Sequence, residues 1–128
     1  MRLLLDTHAL LWWLAGDPSL SSPAREAIAS GGNEVLVSAA SAWEITTKHR
    51  LGRLPGASVV AADVEACVRE QGFVVLPISV RHGQSAGALP GPTRDPFDRM
   101  LVAQALAEGL TLVSNELALG AYGVALLW

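Results

Sequence analysis

Short apolar runs alternate with longer segments of helical character along the whole chain, and this alternation constrains the fold more than any other feature. The runs are rich in Val and Leu and are bounded by turn-forming residues. Strands that are apolar on both faces are typical of a parallel sheet covered by helices on both sides. The sequence therefore predicts an α/β protein with short parallel strands at residues 2–5, 35–37, 73–76, 110–113 and 124–126.

Helix start and stop signals separate these runs. Asp6 and Thr7 can cap a helix over 8–15, and Asp95-Pro96 opens a helix that Gly109 ends. Two prolines and a glycine predict a loop at 89–93. Another predicted helix begins at Ser21-Ser22-Pro23 and ends near Gly31-Gly32. The remaining helices are predicted over 38–50, 59–70 and 79–88, with a single helical turn at 116–119.

The composition bounds the class of protein. The chain has 128 residues, of which 51% are hydrophobic and 16% charged, so we expect one folded domain over 1–128. A formal net charge of −3 argues against strong non-specific binding of polyanions. Cys67 is the single cysteine, which excludes an internal disulfide and favours a cytoplasmic location. No apolar stretch is long enough to predict a membrane span.

Acidic residues lie at one predicted edge of the sheet. Asp6 follows the first strand, Glu116 follows the fourth, and Asp98 lies in the first turn of a helix that begins at this edge. In open parallel sheets, sites form outside the carboxyl ends of the strands. These acids, together with Glu44 in the helix after the second strand, are therefore candidate site residues.

Each acid also has a structural explanation. Asp6 and Asp95 suit helix N-caps, and an acid such as Asp98 in a first turn is favoured by the helix dipole. Glu44 can pair with Lys48 four residues later. Together the acids are harder to explain, because converging carboxylates repel one another unless a cation or a shared proton is present. Oxygen ligands suit Mg²⁺ or Mn²⁺, and such a site suits phosphodiester hydrolysis.

Several motifs carry a resemblance to a known family. They are LLLDTHALLWWL, VSAASAWEI followed by KHRLGRL, RDPFDRMLVAQALAEGLTLVSNE and AYGVALLW. Together they resemble a PIN domain, and more closely the VapC-type toxins of prokaryotic toxin–antitoxin pairs. The resemblance implies a three-layer α/β/α fold with a central parallel sheet of four to five strands. It also implies an endoribonuclease that uses Mg²⁺ or Mn²⁺, an antitoxin partner that blocks the site, and a homodimer.

Carried over by position, the resemblance implies that Asp6, Glu44 and Asp98 hold the metal and that Glu116 completes the catalytic site. The family usually has aspartate at the last of these positions, so the longer Glu116 side chain alters the expected geometry. Asp95 is then a helix cap. Ser114 matches a small hydroxyl residue of the family.

Basic and aromatic residues have two explanations each. The cluster Lys48, His49, Arg50 and Arg53 suits either an RNA backbone or a solvated helix end. Arg94 and Arg99 flank the acidic block, and we expect them to neutralise a phosphate there or to offset the acids.

Among the ring side chains, Trp43 is expected in the core rather than as a platform for base stacking, and His8 is expected to be structural. Trp12 and Trp13 are adjacent on one helix, so they point in different directions. One should pack in the core and the other under a neighbouring element or in an interface.

Two other functions compete with a nuclease. A catalytically silent module of the same fold could bind RNA or an antitoxin, and Glu116 keeps this alternative open. A phosphoryl-accepting regulatory domain would need an acid after the third strand, where Pro77 and Ser79 stand. It would also need a lysine at the site, and Lys48 is the only lysine of the chain.

Overall fold

Five parallel strands form the centre of the protein. A computed structural model describes residues 1–128. Its strands are β1 (Arg2–Leu5), β2 (Glu34–Ser38), β3 (Val74–Leu76), β4 (Thr111–Val113) and β5 (Leu126–Leu127). They pair in parallel in the order β3-β2-β1-β4-β5, so β1 lies in the middle of the sheet. The predicted parallel sheet is confirmed.

Seven α-helices surround the sheet. They are α1 (Thr7–Ala15), α2 (Ser22–Ala29), α3 (Ala39–Arg50), α4 (Ser58–Ala62), α5 (Val64–Glu70), α6 (Val80–Ala88) and α7 (Pro96–Glu108), with 3-10 turns at Pro55–Ala57 and Leu117–Tyr122. The side chains of Asp6 and Asp95 cap α1 and α7, as expected, and Gly109 ends α7 in a left-handed conformation. None of the helices combines the length and apolar character needed to cross a membrane.

Alternate side chains of β1 pack on opposite faces of the sheet. Leu3 and Leu5 belong to a cluster that includes buried residues of α1, α2 and α5. Leu4 belongs to a second cluster, which contains Leu101 and Val102 of α7. The sheet is therefore covered on both faces, and the three-layer α/β/α prediction is confirmed.

The predicted helix over 59–70 is wrong, because two helices occupy this segment. Asp63 has φ −159° and ψ 85°, which is not helical, and its Oδ1 accepts a hydrogen bond from the Ala66 N–H at 3.0 Å. Asp63 thus ends α4 and caps α5. Aspartate favours such local bonds over a place inside a helix.

The last strand also lies later than the sequence predicted. Instead of one helical turn at 116–119, a 3-10 turn runs to Tyr122, and Gly123 follows it at φ 81°. This longer turn moves the strand from 124–126 to Leu126–Leu127, where it pairs with Leu112 and Val113. Val124 packs in a core cluster instead of in the sheet.

Shortening Leu4 to alanine should destabilise the protein strongly. Leu4 is fully buried between Leu36 and Leu112 of the neighbouring strands. A cavity at such a site costs about 2–5 kcal/mol of unfolding free energy. Urea unfolding followed by circular dichroism measures this loss.

The control for this substitution is Val59→Ala, which shortens a side chain that is 82% exposed. We expect it to change the unfolding free energy by less than about 0.5 kcal/mol. Equal effects of Leu4→Ala and Val59→Ala would contradict the central place of β1 in the core.

Candidate functional site

A polar cleft of about 90 Å³ collects the predicted site residues. All four predicted acids line it, together with the capping residue Asp95. Its lining consists of Asp6, Thr7, His8, Glu44, Lys48, Asp95, Asp98 and Glu116. No hydrophobic side chain takes part, so the cleft is built for charged or strongly hydrated ligands.

Asp6 is held at the end of the central strand. Its N–H donates to the carbonyl of Val113 in β4 at 3.0 Å, and its Oδ1 accepts from the Ala9 N–H at 2.8 Å. The residue is 5% exposed, and this burial raises the pKa of its carboxyl group. Hydrogen bonds from the Ala9 N–H and the Ser114 hydroxyl oppose that rise in pKa. Asp6 is thus both a helix cap and a buried wall of the cleft.

Glu44 reaches the cleft from α3 and is held on both oxygens. The Thr7 hydroxyl donates to Glu44 Oε1 at 2.6 Å, and it lies 3.1 Å from Ser41 Oγ. The Lys48 ammonium forms an ion pair with Glu44 Oε2. The pairing of Glu44 with Lys48 is therefore confirmed, and Lys48 balances negative charge within the cleft.

Asp95 and Asp98 lie at the start of α7. Asp95 Oδ1 accepts from the N–H groups of Phe97 at 2.8 Å and Asp98 at 3.2 Å, so its role as a cap is confirmed. Burial, together with the charges of Asp95, Glu44 and Asp6, raises the pKa of Asp98 to about 7, and burial is the largest of these causes. Asp98 is the acid on which the repulsion between converging carboxylates falls most heavily.

Glu116 is an exposed residue that follows β4. Its N–H donates to Ser114 Oγ at 3.0 Å, and Ser114 itself is fully buried. Ser114 therefore shapes the loop that brings Glu116 to the cleft, and it also contacts the Asp6 carboxyl.

The donor set fits a hard divalent cation by its chemistry. Carboxylate oxygens from four separate parts of the chain face one cleft, and the charges of the neighbouring acids add to burial in raising the pKa of Asp98. The side chains do not yet converge on a point, since no three His, Cys, Asp or Glu groups meet at metal-binding distance. One carboxylate oxygen of Glu44 is also paired with the Lys48 ammonium. Modest side-chain rotations would therefore accompany binding.

The predicted basic cluster is divided by the structure. Only Lys48 lines the acidic cleft, whereas Arg53 lines a separate groove and His49 contacts Ser58 Oγ at 3.2 Å. Arg94 and Arg99 line no part of the cleft.

The Arg99 guanidinium serves the loop instead of the cleft. It donates to the backbone carbonyls of Ala86 at 3.1 Å and Thr93 at 2.9 Å. Its guanidinium therefore fastens the 89–93 loop to α7, and the expected role at a phosphate is wrong for Arg99.

Three further side chains differ in how well they were predicted. Trp43 is 61% exposed, so its expected place in the core is wrong. His8 lines the cleft, although the sequence predicted only a structural role for it. The sequence predicts only a capping role for Thr7, yet its hydroxyl also holds Glu44 in position. Its place directly after Asp6 was the available signal, because a residue next to a strand-end acid also lies at the site.

Comparison with known proteins decides the family. The family model described as PIN domain matches residues 3–123, which is most of the chain. The chain belongs to the PIN domain family. It is 32% identical over 114 residues to Ribonuclease VapC22 of Mycobacterium tuberculosis, a match that covers 88% of this chain and 85% of that protein. Ribonuclease VapC16 of the same organism is 44% identical over 54 residues, which is 42% of this chain and 37% of that protein.

Two solved structures share the fold of this chain. VapBC2 from Rickettsia felis, solved bound to a DNA fragment from its promoter, matches with a TM-score of 0.70 at 15% identity and covers 99% of this chain and 98% of that one. VapBC-1 from nontypeable Haemophilus influenzae matches with a TM-score of 0.67 at 14% identity, over 99% and 97% of the two chains.

The raised pKa of Asp98 predicts a pH-dependent effect of Asp98→Asn on stability. With a pKa of about 7 in place of 3.8, the folded protein binds the Asp98 proton more tightly than the unfolded chain does. This contribution to stability is complete below the ordinary pKa and is lost as the pH rises through about 7. In EDTA, Asp98→Asn should therefore stabilise the protein more at about pH 8 than at about pH 5.

Urea unfolding of both proteins at the two pH values measures this difference. Glu26→Gln, which removes an exposed acid outside the cleft, is the control. The same stability change for Asp98→Asn at both pH values would contradict the raised pKa of Asp98.

Proposed function

We propose that this PIN domain is a divalent-metal-dependent endoribonuclease and the toxin of a VapBC-type toxin–antitoxin pair. The observation that carries the proposal is the polar cleft that Asp6, Glu44, Asp98 and Glu116 line together. The match to Ribonuclease VapC22 over most of both chains supports RNA as the substrate. An RNA substrate also fits action in the cytoplasm.

Asp6, Glu44 and Asp98 would hold the cation, which we propose to be Mg²⁺ or Mn²⁺, and Glu116 would complete the site. When bound, such a cation offsets the charge on the phosphoryl oxygens and favours attack by water. Hydrolysis adds water to phosphorus and breaks one P–O bond of the RNA backbone, leaving a phosphate end and a hydroxyl end.

The side chains of the cleft have separate tasks in this reaction. The Thr7 hydroxyl holds Glu44 and the capping contact holds Asp6, so these two carboxylates lose little freedom when the cation binds. Lys48 stands beside Glu44, where its ammonium can pass from the carboxylate to a phosphate oxygen of the RNA. A basic side chain at the cleft is needed to attract RNA, because the chain as a whole carries a net charge of −3.

Removing Asp98 should abolish cleavage. Even groups that only orient a metal's ligands cost about 10–100-fold when removed, so losing a ligand should cost at least about 100-fold. We expect Asp98→Asn, freed of any partner and incubated with total RNA and Mn²⁺, to lose the discrete cuts that the wild-type protein makes. Sequencing of the new RNA ends measures the cuts, and EDTA should remove them as well.

Two controls make this experiment decisive. Glu26→Gln should cut like the wild type, and Mn²⁺ should raise the unfolding temperature of the wild type more than that of Asp98→Asn. Intact RNA with well-folded wild-type protein would favour the silent binding module. Cuts that survive Asp98→Asn would contradict the assignment of the site.

A second surface suits the antitoxin that we propose as partner. A largely apolar groove of about 430 Å³ lies between α1, the 3-10 turn at Pro55–Ala57 and α4. Trp12, which lines this groove, packs edge-on against Trp128, and Val59 stands 82% exposed on the rim of the groove. Exposed apolar surface of this kind marks an interface with another protein. We further propose that the toxin itself is a homodimer.

A charge on the rim of the groove should weaken binding of the antitoxin without reducing RNA cleavage. Val59→Asp adds a carboxylate to apolar surface that a partner would bury, which weakens binding at little cost to the exposed helix. We expect wild-type protein purified from its native cells to carry a small inhibitory protein, and Val59→Asp to be isolated without it.

RNA cleavage before and after removal of the bound protein is the measurement. Glu70→Gln, at an exposed position outside the groove, is the control for unspecific effects of a surface change. Equal inhibition of Val59→Asp and wild type would place the partner elsewhere.

A further inference from the structure

Two aromatic rings lie together at the surface beside the acidic cleft. The centroids of Trp43 and Phe97 are 4.9 Å apart, with the rings at 73° to each other. Trp43 is 61% exposed, although a ring of this size is usually covered in a folded protein. Packing within the chain therefore does not account for its position.

The two rings border an apolar pocket of about 190 Å³. Ala40, Ile78 and Met100 complete its floor and walls. A pocket of this size admits a single ring system, whereas a stable protein interface buries on the order of 1,000 Å² or more. The chemistry of the pocket suits a flat ligand with little charge on its faces.

Arg99, which lines the pocket together with Ala86, is held by the neighbouring loop before any ligand arrives. Arg99 donates to the carbonyls of Ala86 and Thr93, and the Thr93 N–H donates to the Tyr122 hydroxyl at 3.0 Å. Gly91 lies so close to the Tyr122 ring that a Cβ there would come within 2.7 Å of it. A prearranged wall lowers the ordering cost of binding.

The pocket and the cleft are one residue apart along two helices. Trp43 precedes Glu44 in α3, and Phe97 precedes Asp98 in α7. Consecutive Cα atoms lie about 3.8 Å apart across a trans peptide. With a divalent cation held by the acids, a ligand that spans the cleft and the pocket needs an anionic group next to a flat aromatic group, and a nucleotide has both.

We propose that Trp43 and Phe97 form a nucleobase-stacking subsite, which holds a base of the single-stranded RNA next to the phosphate in the acidic cleft. The inference rests on the proposed ribonuclease function and deepens it. Stacking on an aromatic ring tolerates any base, since every base has a π-face. The subsite would thus place the strand, and the small walls at Ala86 and Gly87 would limit the size of the base.

A double-mutant cycle tests the subsite separately from cleavage. Its two changes are the substitution of Trp43 and the removal of one base from the RNA. A labelled single-stranded oligoribonucleotide is titrated by fluorescence anisotropy in Ca²⁺, with its integrity checked on a gel. Trp43→Ala should weaken binding roughly 5- to 100-fold, the range expected for the loss of one base–aromatic stack. Trp43→Phe keeps a stacking face and should lose much less. Because Trp43 is exposed, neither change should unfold the chain.

The base itself provides the second half of the cycle. Replacing nucleotides one at a time by an abasic residue should weaken binding to wild-type protein at one position by a similar factor. The same replacement should cost Trp43→Ala nothing, since the stack is already absent. Val80→Ala, which shortens a side chain that is 90% exposed and lines neither the pocket nor the cleft, should behave like the wild type.

Three results would overturn the proposal. They are an abasic penalty that is equal in wild type and Trp43→Ala, wild-type protein that binds no single-stranded RNA, and a Trp43→Ala protein that changes from dimer to monomer in sedimentation. The last result would assign the rings to contact between two copies. A complete binding cycle from protein that cuts no RNA in Mn²⁺ would support the subsite and overturn the proposed hydrolysis alone.

Discussion

The parallel pairing of β1 with strands on both sides is the constraint on which the rest of the structure depends. The order β3-β2-β1-β4-β5 places β2 on one side of β1 and β4 on the other, so the direction of the chain's winding reverses at β1. A crevice forms outside the carboxyl ends of the strands at such a reversal. Asp6 ends β1 and Ser114 follows β4 at this crevice, and the buried leucines of β1 fix its position. The location of the acidic cleft thus follows from the order of the strands.

Holding several carboxylates in one crevice has an electrostatic cost, and the protein offsets it locally. Asp6 and Asp95 accept backbone hydrogen bonds as the N-caps of α1 and α7, and Lys48 pairs with Glu44. Asp98 has no such partner, and its burial together with the charges of the neighbouring acids raises its pKa to about 7. A cation site must keep some repulsion between its carboxylates. If their charges were already neutralised, binding of the cation would relieve no repulsion.

Local signals allowed most of the fold and the cleft residues to be predicted from the sequence. Asp95-Pro96 and Gly109 mark the ends of α7 within one residue, since capping depends only on neighbours along the chain. The break at Asp63 was missed because the apolar pattern continues through it, although its capping chemistry was visible. The exposure of Trp43 and the backbone contacts of Arg99 could not be predicted, because they depend on which segments the fold brings beside α3 and α7.

The residues of the cleft show why a single acid seldom reveals its function in a sequence. Asp6 caps a helix and also lines the cleft, and Glu44 forms an ordinary helical ion pair while facing the same space. A structural role is therefore no argument against a chemical one, since a ligand that is already held in place needs less ordering when the cation binds. The same reasoning separates Trp43 from the acids. Its ring has an aromatic neighbour but remains largely in water, and that unexplained exposure directs attention to a ligand.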